Sequence, residues 1–68
     1  MKDKNGKEVI IGYPCIVDVD KGEIIEKKLG QVTGIIEDDT IATVLVLDES
    51  TDHVYEVKVE SSHIEMKL

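Results

Sequence analysis

The sequence predicts an all-β fold: five antiparallel strands coiled into a small barrel, with room for one short helical turn. Three observations lead there. From Cys15 onward apolar residues recur at every second position, the spacing of a strand with one buried face. The apolar fraction of 41% is almost wholly aliphatic, and its many Val and Ile, together with Thr, suit pleated and half-buried surfaces. Between the apolar runs lie short clusters of Asp, Glu, Ser, Thr and Gly, the residues of turns.

Residues 1–8 read as a polar lead-in to a single domain spanning 1–68. Val9-Ile10-Ile11 then meets Gly12-Tyr13-Pro14, a turn or bulge signal. Cys15, Val17 and Val19 alternate with Ile16, Asp18 and Asp20 as the first strand, and Asp20-Lys21-Gly22 ends it. Residues 23–29 fit two descriptions, a short strand or a helical turn that sets Ile25 and Leu29 four apart. They read as a long excursion that Gly30 closes.

Gln31–Ile36 is the next strand, with Gly34 at a bend or a close backbone approach. Glu37-Asp38-Asp39-Thr40 is a hairpin loop, and Ile41–Leu47 the strongest strand in the chain. After Asp48–Asp52 turns again, His53–Val59 returns with Tyr55, Val57 and Val59 on one face and Glu56 and Lys58 on the other. Ser61-Ser62-His63 makes a short turn, and Ile64, Met66 and Leu68 alternate in a last strand. Strands joined by such short loops form a meander, and coiling it hides sheet edges.

Sixty-eight residues bury only about 60% of the surface of the unfolded chain, so an enclosed active site has little room beside a core. The net charge of −7 is uneven. Residues 1–34 sum to zero, while residues 35–68 set Lys58 and Lys67 against nine carboxylates. With no Arg and no Lys cluster, direct nucleic-acid binding and adhesion to an anionic membrane are disfavoured. A basic protein partner fits the charge, because acidic surfaces speed such encounters. Cys15 is the sole cysteine, so no intrachain disulfide forms, and no stretch reads as a signal peptide or membrane span. A cytoplasmic location is expected. The Lys-only basic set, with abundant Ile, Glu and Asp, points to a bacterial or phage source.

Ile11-Gly12-Tyr13-Pro14-Cys15-Ile16-Val17 resembles the opening of SH3-like barrel modules. Gly30-Gln31-Val32-Thr33-Gly34-Ile35 is similar to the strand-and-glycine element of their KOW and Tudor-type branches, and Val59–Ile64 looks like the turn before their last strand. The resemblance implies an SH3-like barrel and transfers no functional residue. The basic surface of KOW modules is missing, and two Tyr build neither a methyl-lysine cage nor a polyproline groove.

Candidate sites are few. Asp18-Val19-Asp20-Lys21-Gly22-Glu23 presents alternate carboxylates like a calcium loop, but Glu23 and Leu29 stand where that motif needs Gly and Glu. Cys15, His53 and His63 lack the paired spacing of a zinc site. Ser61-Ser62-His63 sets hydroxyls beside an imidazole, but catalysis needs them to converge in space with an orienting acid and an oxyanion site, which adjacent turn residues seldom do, and the motif reads as a turn cap. No enzyme, cofactor or metal is therefore expected. Two surfaces remain. An acidic side carrying Asp38, Asp39, Asp48, Glu49 and Asp52 would meet a basic protein. In Ile41–Leu47 both alternating sets are largely apolar, so either the barrel wraps the second face, or Ile41, Thr43, Leu45 and Leu47 form a partner or homodimer interface.

Overall fold

A computed structural model describes residues 1–20, 22–48 and 51–67. The fold is all-β, with five antiparallel strands in one sheet ordered β4-β3-β2-β1-β5. The strands are β1 (Pro14–Asp20), β2 (Ile25–Ile36), β3 (Ile41–Asp48), β4 (His53–Glu60) and β5 (Ile64–Met66), with a single 3-10 turn at Ser61–His63. The predicted alternation places the core. Cys15, Val17, Val32, Val44, Val46, Ile64 and Met66 are fully buried on the inner face, with Ala42 and Val59 beside them.

Of the two descriptions of residues 23–29, the strand holds for Ile25–Leu29, which open β2 and run on through Gly30 without the expected close, while Glu23 and Ile24 precede it. Seven register pairs, from Pro14↔Gln31 to Asp20↔Ile25, lock it against β1. A helical turn here would have left that edge of β1 without its ladder. The second half of β2 pairs with β3, and the register shifts between Val32 and Gly34, a bulge that bends the strand. Gly34 marks the predicted bend, since a Cβ there would sit 2.9 Å from Thr43 Oγ1. Gly30 is tighter still. A Cβ would lie 2.6 Å from Val44 Cγ1 and 2.7 Å from the Leu45 carbonyl oxygen.

The polar lead-in is also more than a leader. Met1 and Val9 pack on the core, and Lys2 and Glu8 form an isolated antiparallel bridge. Asp3 is buried, with 6% exposure. Its carboxylate accepts the backbone N–H groups of Asn5 and Lys7 through Oδ1 and of Met66 through Oδ2, each at 2.8 Å. The Lys4 amide donates to the Ile64 carbonyl, so this segment lies along the free side of β5.

The sheet coils but does not close. β4 and β5 are its edges, and β1 pairs with β5 only through Cys15, Val17 and the Ile16 between them. Among the described residues Asp18–Asp20 therefore has a strand neighbour, β2, on one side only.

Candidate interaction surfaces

The outer face of the sheet carries an apolar row. Cross-strand partners share a face, and Ile16 pairs with Leu29 while Leu47 pairs with Val54. Extending the Gly30↔Val46 register by one residue sets Leu29 beside Leu47. The row therefore runs Ile16–Leu29–Leu47–Val54 across four strands, with Leu45 one step along β3. Leu29, Leu45, Leu47 and Val54 are 60%, 38%, 48% and 56% exposed. Of the two readings of β3, the wrapped second face is the one the structure overturns. Ile25–Gly30 lie in β2 and the amino-terminal segment runs along β5, and among the described residues neither covers Leu45 and Leu47.

The four expected interface residues do not behave alike. Leu45 and Leu47 stand in the open. Thr43 is half-buried, and its hydroxyl lies 2.9 Å from Thr33 Oγ1, which also donates to Glu56 Oε2. Ile41 is half-buried at the end of the hairpin. The sequence reading missed Leu29 and Val54. Val54 shares the parity of Glu56 and Lys58, so the alternation of β4 already put it outside. Leu29 was hidden because β2 inverts the usual pattern. Lys28 and Glu26 stand opposite Val17 and Val19, while Leu29 and Ile25 face out. Lys28 Nζ and Glu26 Oε2 satisfy each other at 3.1 Å.

The single acidic surface does not form. Asp38 and Asp39 lie in the β2–β3 loop, and Asp48 and Asp52 flank the β3–β4 loop, at the opposite end of eight-residue β3. At about 3.3 Å per residue the two groups stand roughly 23 Å apart. Successive hairpin loops of a meander alternate ends, so carboxylates one loop apart in sequence separate in space. Glu49 lies outside the described residues. Asp39 is also engaged, since its Oδ2 lies 2.8 Å from the amino terminus, which Glu8 contacts at 3.1 Å. Glu37, Asp38 and Asp39 all hold left-handed backbone, with φ of 55°, 53° and 72°.

A cleft of about 530 Å³ opens where the sheet fails to close. One wall is the end of β1 with Ile25 beside it, the other is β4 from Val57 to Glu60, and His63 stands at one end. Val19, Val57 and Val59 are its apolar residues on the inner face, and Asp18, Asp20, Lys58 and Glu60 rim it. Asp18 accepts from Lys27 Nζ at 3.0 Å and contacts His63 Nδ1 at 3.3 Å. The Lys27 contact leads in holding the Asp18 carboxyl below its usual range, with His63 adding to it against partial burial. Asp20 Oδ1 accepts the Gly22 amide, closing the turn after β1.

The remaining candidates are dispersed. Cys15 is in the core, where burial pushes its thiol up to about 11. His53 opens β4 and His63 lies in the 3-10 turn beyond its other end, so the two are far apart along the strand. Among the described residues no three His, Cys, Asp or Glu converge as metal ligands. No helix among them is long and apolar enough to cross a membrane. Comparison of the chain with protein-family profiles, curated proteins and solved structures finds no match in any of the three.

Proposed function

We propose that this chain is a non-catalytic protein-interaction module of SH3-like type, working in a bacterial or phage cytoplasm, which docks a basic protein on the outer face of its sheet. The observation that carries the reading is the row of exposed Leu29, Leu47 and Val54, flanked by half-buried Ile16 and by exposed Leu45. Apolar side chains lined up across four strands are the kind of patch that marks a partner site. The net charge of −7 favours a basic partner over a second copy of the same acidic chain. The strand order and the 3-10 turn before β5 support the SH3-like assignment. The burial of Cys15, whose thiol is pushed up to about 11, supports a non-catalytic role.

Immobilised protein tests this against the double variant Leu29→Lys/Leu47→Lys. Both positions are exposed, so the variant keeps its fold. The wild type retains a basic protein that the variant loses and that about 0.5 M salt releases, because the Debye length shrinks to a few ångströms. Equal retention by both proteins refutes the docking face. A wild-type dimer in light scattering that the variant dissolves replaces the partner with a second copy.

A further inference from the structure

The cleft between β1 and β4 is a second surface, independent of the outer row, and its geometry is that of a gap between two strand edges. β4 is the last strand of the sheet, with β3 on one side only. Beyond Val17, β1 has lost β5 and pairs with β2 only. An unpaired edge presents a row of N–H and C=O groups that a guest strand can take up. The two edges here face each other across about 530 Å³.

The side chains fit an extended guest. In a strand laid between β1 and β4, alternate residues would point inward to Val19, Val57 and Val59, which asks for apolar side chains. The intervening residues would point outward beside Asp18 and Asp20 on one wall and Lys58 and Glu60 on the other. Asp18 already has Lys27 and His63. Asp20 and Glu60, set on opposing walls against the lone cation Lys58 of the described rim, favour a basic side chain between them. We propose that this cleft is a strand-addition slot, entered by an extended segment of a partner polypeptide in which apolar residues alternate with Lys or Arg. Main-chain hydrogen bonds would supply the affinity and the alternate side chains the selectivity.

The probe is an acetylated, amidated heptapeptide alternating Lys and Val, titrated into the whole chain while backbone amide NMR shifts are followed. Saturable binding below about 1 mM is expected, with shifts at 18–20 and 57–60. Two further peptides are N-methylated, one on every Val and one on every Lys. Donors alternate sides along a strand, so each modification blanks one edge. In a two-walled slot both lose affinity by about tenfold or more. A Glu/Val peptide binds at least as weakly, and Asp20→Asn/Glu60→Gln, exposed changes that leave the fold intact, weakens the Lys/Val peptide and flattens its salt dependence. The proposal is overturned if one methylated peptide binds unchanged, since that is pairing on a single edge. It is overturned equally by no binding, by an indifferent double variant, or by shifts confined to Leu29, Leu45, Leu47 and Val54, which would report the outer face instead.

Discussion

Replacing Asp3 by Ala removes the acceptor for three backbone amides. The Met66 amide is buried, so stranding it costs about 1–3 kcal/mol. The Asn5 and Lys7 amides are partly buried and can regain water, so each loses the net value of an ordinary bond, about 0.5–1.5 kcal/mol. The expected loss is about 4 kcal/mol, a large part of what a domain of this size possesses. Urea unfolding followed by far-UV circular dichroism reads it directly. With a slope of about 1 kcal/mol per molar the midpoint falls by about 4 M. Asp3→Asn keeps one carbonyl oxygen but turns an amide donor toward another donor, and it falls between wild type and Ala. Burial on its own would raise the Asp3 carboxyl, but the Met66, Lys7 and Asn5 amides together hold it below its ordinary value of 3.8. A depressed carboxyl stabilises the fold above its unfolded value. That contribution therefore fades as pH falls below about 4, and the Ala variant shows a shallower acid loss. Asp18, lowered by Lys27, keeps some acid sensitivity in the variant. A midpoint shift under about 0.5 M for Asp3→Ala would refute the reasoning.

Three other outcomes are expected. Gly30→Ala drives a methyl into Val44 and the Leu45 carbonyl and destabilises by about 1–3 kcal/mol in the same assay, whereas a neutral result would mean that β2 and β3 can separate there at no cost. Glu37→Gly relieves left-handed backbone worth about 1–2 kcal/mol, part of which the flexibility of unfolded Gly offsets, and raises thermal stability by up to about 1 kcal/mol. Cys15, buried and with its thiol pushed to about 11, reacts with a disulfide reagent at pH 8 only at the rate of opening, and denaturant accelerates it; fast labelling of the native chain contradicts the buried placement.

Much of the sheet could be read from the sequence because its core positions obey a period of two. Cys15, Val17, Val44, Val46, Ile64 and Met66 are all inner-face residues of predicted strands. Ile25–Leu29 could not be read so, because the pairing partner of a strand is non-local information. Only β1 decides that Lys28 and Glu26 turn inward. Asp3 left no local trace for a similar reason. Its decisive partner, the Met66 amide, lies 63 residues away. The acidic loops failed as one surface because composition reports charge along the chain, whereas the meander sends Asp38 and Asp48 to different ends. Leu45 and Leu47 were visible as candidates, and the exposed neighbours that give them meaning, Leu29 and Val54, came from register.

The reach from Asp3 to Met66 also fixes when that contact can form. Closing a loop of such length is entropically costly, so the carboxylate waits until the intervening ladders have already brought the two segments together. A contact that forms after the rate-limiting step is a latch, so Asp3→Ala is expected to speed unfolding while leaving the refolding rate nearly untouched, as stopped-flow mixing would show.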